Sequence, residues 1–89
     1  MAWSVDYTDT AKKQLRKLDR PTARRILDFM DARVAGKENP RGTGKALTGA
    51  MLGTYWRYRV GDYQIICDVQ DGILRVLVIQ ISNRTEVYR

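Results

Sequence analysis

The sequence predicts an α+β domain in which a short strand and two helices precede three consecutive strands. Three observations support this prediction: an alternating apolar segment at the start, apolar residues at helical spacing up to residue 34, and two turn signals between alternating segments near the end. The chain has 89 residues, enough for one domain with one modest core. We therefore expect residues 1–89 to form a single domain.

The composition limits the chemistry and the location. Histidine is absent, which excludes Ser-His-Asp catalysis and histidine-based metal sites, so we expect no metal and no cofactor. The single cysteine, Cys67, excludes an internal disulfide and fits a reducing cytoplasm. No apolar run is long enough to span a bilayer, so no membrane partner is expected. The net charge of +6 indicates an anionic partner: nucleic acid, an acidic protein or an anionic surface.

The first half of the chain predicts a strand followed by a helical hairpin. Residues 3–7 alternate between apolar and polar, and Thr8 and Asp9 then supply N-cap chemistry for a helix. Residues 19–21 interrupt this helix, and a second helix ends at Gly36. The apolar stripes comprise Ala11, Leu15 and Leu18 in the first helix and Ala23, Ile26, Leu27, Met30 and Val34 in the second. Each helix can bury only one stripe, so we expect the pair to pack against a sheet.

A long loop should follow the helices. Five glycines and Pro40 fall within residues 36–53, which excludes regular structure there, and loops of this length are often functional. We expect Leu47, Met51 and Leu52 to anchor the loop to the core.

The last third of the chain predicts three strands, residues 55–60, 63–70 and 73–81, joined by two-residue turns at residues 61–62 and 71–72. These turns predict a register. In the first hairpin, Val60 lies opposite Tyr63 and Arg57 opposite Ile66. In the second hairpin, Gln70 lies opposite Ile73, and Asp68 lies opposite Arg75 and pairs with it.

Alternation then separates two faces of this sheet. The apolar face, on which the helices should pack, comprises Trp56, Tyr58, Ile65, Cys67, Val69, Leu74, Val76 and Val78. The second face comprises Tyr55, Arg57, Arg59, Gln64, Asp68 and Arg75, together with Ile66, Leu77, Ile79 and Ile81. A purely solvated face would not carry four aliphatic residues. Either the long loop covers them or they lie in a basic groove where a partner docks.

The second face also carries the candidate chemistry. Arg57 and Arg59 alternate on one strand and can clamp successive phosphates, and Tyr55 can stack on a base. Solvated cations on an outer strand face are the simpler alternative. A short segment after the last strand carries Arg84 and Tyr88 and can return across the same face. Lys12, Lys13 and Arg16 on the first helix, with Lys45 in the loop, are candidates for sequence-independent phosphate contacts; solvated helix faces are the alternative for the first three.

Four segments follow one another along the chain: Leu47-Thr48-Gly49, residues 55–64 with Arg59-Val60-Gly61-Asp62-Tyr63, Asn83-Arg84 and Glu86-Val87-Tyr88. Together they resemble the RelE toxins of bacterial toxin–antitoxin pairs. The resemblance covers nearly the whole chain. It implies a βααβββ fold, with the helical hairpin on one face of a mainly antiparallel four-stranded sheet. It also implies an mRNA interferase that cleaves mRNA in the ribosomal A site, and a cognate antitoxin that neutralises it. Candidate contacts for this antitoxin are Ile66, Leu77, Ile79 and Ile81.

The resemblance further implies the site residues. Arg57, Arg84 and Tyr88 match the family's catalytic positions, and Arg59 matches a neighbouring family arginine. Gln64 stands where the family usually has arginine, and Tyr55 where some relatives have lysine. Asn83 stands where many relatives have histidine. Without histidine, RNA cleavage would use the 2′-OH of the substrate as nucleophile, and no general base is evident.

Two other functions remain open at this point. The related ParE branch shares the fold and inhibits DNA gyrase without enzymatic activity, and it would not need arginines and a tyrosine converging on one groove. An RNA-binding relative with weakened or no catalysis would also accommodate Gln64 and Asn83.

Overall fold

The computed structural model describes residues 3–36, 38–47 and 55–83, which form one sheet with helices on one of its faces. The strands are β1 (Ser4–Tyr7), β2 (Lys45–Ala46), β3 (Tyr55–Val60), β4 (Tyr63–Gln70) and β5 (Arg75–Asn83), and the helices are α1 (Asp9–Arg16) and α2 (Arg20–Phe29). The strand order is β1-β5-β4-β3-β2; β1 is parallel to β5 and the other pairs are antiparallel. The α+β class is confirmed, and the short strand β2 makes the sheet five-stranded rather than four-stranded.

Both helices begin at the predicted boundaries. The Thr8 side chain accepts a 3.1 Å hydrogen bond from the backbone N–H of Ala11, which caps α1. The Asp19 carboxylate accepts hydrogen bonds from the hydroxyl and the backbone N–H of Thr22, and these bonds lower the pKa of Asp19. Pro21 lies in the first turn of α2, where its missing N–H is not needed.

The second helix ends at Gly36 for a reason that differs from the predicted one. After α2 the helix widens into a π-type segment, Met30–Ala35, and the backbone of Gly36 keeps a negative φ of −75°. A Cβ at this position would lie 2.8 Å from the carbonyl oxygen of Ala32. Close backbone approach, rather than a left-handed cap, therefore requires glycine here.

The core lies between the helices and the predicted apolar face of the sheet. Its buried helical members are Ala11, Ile26, Met30 and Val34, and its buried strand members include Tyr58, Ile65, Cys67, Val69, Val76 and Val78. Trp56 and Leu74 are partly buried against this cluster. The predicted packing of the helical hairpin on this face is confirmed.

The register of the β3–β4 hairpin is confirmed. Val60 lies opposite Tyr63, and the pairing continues to Trp56 opposite Cys67. Gly61 takes a left-handed φ of +59° in the two-residue turn, as such turns require.

The predicted register of the β4–β5 hairpin is wrong by two residues. Gln70 lies opposite Arg75 and Asp68 lies opposite Leu77. Asp71–Ile73 form a 3₁₀ turn, and Leu74 follows with a left-handed φ of 50°. The turn opens in this way because Leu74 packs against the core, and its carbonyl accepts a 3.0 Å hydrogen bond from the N–H of Ser4.

A β-bulge changes which side chains of β5 face the helices. Cys67 lies opposite Val78 but Ile66 lies opposite Gln80, so Ile79 is an extra residue on β5. Side chains near α1 satisfy the backbone there: the Thr8 hydroxyl donates to the Ile79 carbonyl, and the Gln14 side-chain oxygen accepts from the Ile81 N–H. The bulge turns Ile81 towards the core, where it is 4% exposed. The prediction that Ile81 lies on the second face is therefore wrong.

Candidate functional site

The outer face of the sheet, opposite the helices, brings together four of the predicted site residues. Arg57 and Arg59 alternate along β3 with the core-facing residues, and Gln64 lies directly opposite Arg59 on β4. Lys45 lies opposite Arg57 on the other side, on β2. Two arginines, a lysine and an amide thus occupy neighbouring positions on one surface, an arrangement suited to contacting a phosphodiester backbone.

Ser82 adjoins this group. It lies opposite Gln64 on β5, and its hydroxyl oxygen is buried and has no hydrogen-bond partner among the described residues. The rung formed by Arg59, Gln64 and Ser82 therefore consists entirely of polar side chains.

Asp68 belongs to a separate row of hydrogen-bonded polar side chains on the same face. Its carboxylate accepts a 2.9 Å hydrogen bond from the amide nitrogen of Gln70, whose amide oxygen accepts a 2.7 Å bond from Arg75. Arg75 in turn lies 3.6 Å from the carboxylate of Asp6. The predicted direct pairing of Asp68 with Arg75 is wrong, because the register places Gln70 between them. Tyr55 lies opposite Asp68, next to this row of polar side chains.

A groove runs along the edge of β3 where the outer face ends. It has a volume of about 380 Å³. It is lined by Phe29, Arg33, Thr43, Gly44, Lys45, Arg57 and Arg59. Four of these residues are cationic, and none is acidic. The predicted residues Lys45, Arg57 and Arg59 therefore share a concave surface with Phe29 and Arg33, which were not among the predicted site residues.

The segment that carries Lys45 is held against the helix-side face of β3. The Tyr58 hydroxyl donates a 2.8 Å hydrogen bond to the carbonyl of the buried residue Pro40. Gly44 approaches so closely that a Cβ there would lie 2.7 Å from the Tyr58 ring. Residues 38–47 therefore do not cover the aliphatic residues of the outer face. Pro40, rather than Leu47, is the buried anchor of this segment; the other two predicted anchors, Met51 and Leu52, lie outside the described residues.

An ion pair holds the same segment at a second point. The guanidinium group of Arg41 donates two hydrogen bonds to the carboxylate of Asp71, at 3.0 and 2.5 Å, and lies 5.7 Å from the centre of the Trp56 ring. The bonds with Arg41 lower the pKa of Asp71, and the bond with Asp71 raises the pKa of Arg41. The loop is thus tied to both β3 and the β4–β5 turn.

Other predicted residues lie apart from this surface. Lys12, Lys13 and Arg16 are exposed on α1, which packs near β5 rather than near β3. Arg84 and Tyr88 lie outside the described residues, so their convergence with Arg57 stays a prediction.

The four aliphatic candidates for antitoxin contact differ in exposure. Ile66 is 8% exposed although it lies on the outer face, and Ile81 belongs to the core. Leu77 and Ile79 are half-buried. Only Leu77 and Ile79 thus retain appreciable accessible surface for a partner.

Burial makes three side chains harder to ionise. Burial raises the pKa values of Tyr7, Tyr58 and the Cys67 thiol. Within residues 3–36, 38–47 and 55–83, no cluster of three acidic or cysteine residues is arranged to hold a metal ion. The helices of these ranges are too short and too polar to cross a bilayer.

Comparison with known proteins defines the class. A family model described as the ParE toxin of type II toxin–antitoxin system, parDE, matches residues 5–88. A chain in the crystal structure of the toxin–antitoxin complex RelBE2 from Mycobacterium tuberculosis superposes with a TM-score of 0.83 and 23% identity, covering 94% of this chain and 93% of that one. The fold is therefore that of toxins from type II toxin–antitoxin systems.

Two curated relatives, both from Mycobacterium tuberculosis, narrow the class. Toxin RelE is 31% identical over 87 residues, which cover 98% of this chain and 87% of the relative. Toxin RelG is 26% identical over 89 residues, which cover 100% of this chain and 99% of the relative. The chain belongs to the RelE family of toxins.

Proposed function

We propose that this toxin is a ribosome-dependent mRNA endoribonuclease that inhibits translation by cleaving mRNA in the A site. The observation that carries the proposal is the juxtaposition of Arg57, Arg59 and Gln64 on the outer face, beside Lys45. Guanidinium groups bind the phosphates of nucleic acids through two parallel hydrogen bonds, which favours an RNA backbone as the ligand.

The proposed reaction is an internal transfer at phosphorus. The 2′-oxygen of the RNA attacks the adjacent phosphorus and loses its proton to a base, and the bond to the 5′-oxygen of the next nucleotide breaks. That oxygen takes up a proton, so the products are a 2′,3′-cyclic phosphate and a 5′-hydroxyl. Arg57 stabilises the additional negative charge of the transition state. Arg84 is proposed to share this role, and Tyr88 to stack on a base or protonate the leaving oxygen.

Dependence on the ribosome fits the residues available. Arginine stays protonated and Gln64 does not titrate, so these outer-face residues supply charge and hydrogen bonds rather than acid–base catalysis. Orientation of the RNA strand must then account for much of the rate, and a ribosome that holds the codon in a reactive conformation would supply it. Contacts of Lys12, Lys13 and Arg16 with ribosomal RNA are part of the proposal, and ribosome binding should weaken as salt rises.

Primer extension on mRNA bound to purified ribosomes tests the proposal. The expected result is a new stop within the A-site codon, which requires both toxin and ribosomes. The downstream fragment should carry a 5′-hydroxyl, detected as a fragment that polynucleotide kinase labels without prior phosphatase treatment. Intact mRNA at stoichiometric toxin would contradict the proposal.

A second candidate function is inhibition of DNA gyrase, because the matching family model describes ParE toxins. A supercoiling assay separates the two. Loss of gyrase-dependent supercoiling, together with intact mRNA on ribosomes, would favour the gyrase function. The clustered arginines favour the nuclease.

We also propose that a cognate antitoxin binds the toxin, as in the toxin–antitoxin complex to which the fold is similar. Leu77 and Ile79 are the proposed apolar contacts. Replacing Leu77 by aspartate should weaken copurification with the antitoxin, whereas replacing the exposed Ile73 in the β4–β5 turn should leave it unchanged.

A further inference from the structure

The edge groove described above continues into a second depression on the helix side. That depression has a volume of about 420 Å³ and shares Phe29, Arg33 and Arg59 with the groove. It is further lined by Arg25, Asp28, Ala32, Val60 and Gly61. The two depressions form one surface, here called the extended groove, which runs from Lys45 on β2 to Arg25 on α2.

The extended groove is strongly cationic. Arg25, Arg33, Lys45, Arg57 and Arg59 line it, against a single carboxylate, that of Asp28. Asp28 lies 3.5 Å from Arg24, an ion pair within α2 that partly neutralises this one negative charge. Among the described residues, no carboxylate lies within ion-pair distance of Arg25, Arg33 or Arg59.

The spacing of the helical residues suits a linear polyanion. Arg25, Phe29 and Arg33 follow one another at intervals of four residues and therefore lie along one side of the helix. Arg25 lies on α2 and Arg33 on the π-type segment that continues it, so the two arginines are about two helical turns apart. The Arg25 guanidinium lies over the β3–β4 turn, 3.1 Å from where a Cβ of Gly61 would be. Arg25 thus extends across the turn towards β3.

Phe29 favours a nucleic acid over a simple anion as the ligand of the extended groove. Its ring contacts the Tyr58 ring edge-on, with centroids 6.3 Å apart and an angle of 64°, and the half-exposed residue lines both depressions. Basic grooves with an aromatic ring are typical of surfaces that bind single-stranded nucleic acid, because bases stack on the ring while cations follow the phosphates.

We propose that the extended groove binds single-stranded RNA through its backbone, with Arg25 and Arg33 on separate phosphates and one base against Phe29. The groove meets the outer face at Arg57 and Arg59, so the strand it holds is continuous with the strand at the candidate cleavage site. The inference rests on the proposed function for the identity of its ligand. It adds a binding segment on α2 and the π-type segment that follows it, separate from the outer face and from the cations of α1.

Fluorescence anisotropy tests this inference without ribosomes and without cleavage. The probe is a labelled 12-nucleotide RNA of mixed sequence, with 2′-O-methyl groups throughout so that no 2′-OH can react. The double variant R25A/R33A should bind at least tenfold more weakly than the wild type. The slope of log K against log salt should become shallower by about 1.4, because each phosphate contact with a single strand contributes about 0.7.

The matched control is K17A/R20A, which removes two charges from exposed positions that line neither depression. It should bind the probe within about twofold of the wild type. Phe29→Leu should weaken binding about fivefold or more, with no change in the salt slope. Circular dichroism of each variant verifies the fold.

Three outcomes would overturn the inference: no binding of the probe by the wild-type chain, equal losses in R25A/R33A and K17A/R20A, or loss of antitoxin capture by R25A/R33A with RNA binding intact. The last outcome would make the groove a protein-binding surface. Failure of the proposed function is distinguishable, because a wild-type chain that binds the probe through the groove but leaves ribosome-bound mRNA intact would refute only the nuclease.

Discussion

The hydroxyl of Tyr58 and the carbonyl of Pro40 form a buried 2.8 Å hydrogen bond that joins the core of the sheet to the loop preceding β2. Tyr58 is the largest fully buried side chain among the described residues, and the hydroxyl gives its polar end a partner. Through this bond the loop that carries Lys45 is held beside the strand that carries Arg57 and Arg59. A core residue thereby positions the candidate site.

Replacing Tyr58 by phenylalanine should destabilise the protein by about 1–3 kcal/mol, because the Pro40 carbonyl would stay buried without its partner. Urea unfolding followed by circular dichroism measures the change. Tyr63→Phe is the matched control: Tyr63 is only half-buried and no hydrogen bond of its hydroxyl is seen within the described ranges. Equal stabilities of the two variants would contradict the structural role of this bond.

Two glycines of the loop before β2 should respond differently to alanine. At Gly44 a Cβ would lie 2.7 Å from the Tyr58 ring and 3.0 Å from the Arg57 carbonyl oxygen, whereas at Gly42 it would meet nothing within 4 Å. Gly44→Ala should cost about 1–3 kcal/mol through overpacking. Gly42→Ala should be neutral or stabilising by up to about 1 kcal/mol. Thermal unfolding of the pair measures the contrast, and a neutral Gly44→Ala would show that the loop sits further from β3.

The Arg41–Asp71 ion pair should make stability depend on pH in a defined direction. Arg41 lowers the pKa of Asp71 in the folded state, so the stabilisation is complete above the ordinary carboxyl pKa, near 4, and is lost as the pH falls through the lowered value. Asp71→Asn should therefore be less stable than the wild type at pH 7, and the difference should shrink below about pH 4. A pH-independent difference for Asp71→Asn would argue against the ion pair.

Under the proposed function, Arg57→Ala should reduce A-site cleavage by about 10²–10³-fold through loss of transition-state stabilisation. Single-turnover cleavage at saturating toxin measures the rate, and unchanged unfolding curves exclude a structural cause. Arg24→Ala, on the exposed side of α2, is the control and should cleave like the wild type. Similar rates for both variants would remove Arg57 from the catalytic site.

Local patterns were sufficient for much of the fold. The cap at Thr8, the position of Pro21 in the first turn of α2 and the two-residue turn at Gly61 depend on residues close together in sequence, and the structure confirms each of them. Six of the eight predicted stripe residues also pack in the core, all except Ala23 and Leu27. The first hairpin register followed from its turn, which correctly placed Arg57, Arg59 and Gln64 on one face. Periodicity and turn chemistry operate over a few residues, so a single sequence contains this information.

Distant contacts determined the remainder. The turn of the second hairpin is wider than predicted because Leu74 packs against the core and Asp71 pairs with Arg41. The backbone at the Ile79 bulge forms hydrogen bonds with the side chains of Thr8 and Gln14, which lie near the other end of the chain. A bulge reverses the alternation beyond it, so Ile81 moved to the opposite face. The packing of α2 and the following π-type segment near the edge of β3 brings Arg25 and Arg33 to the groove, and it likewise depends on how helices and sheet pack. Packing free energies sum over the whole molecule, and no local pattern encodes them.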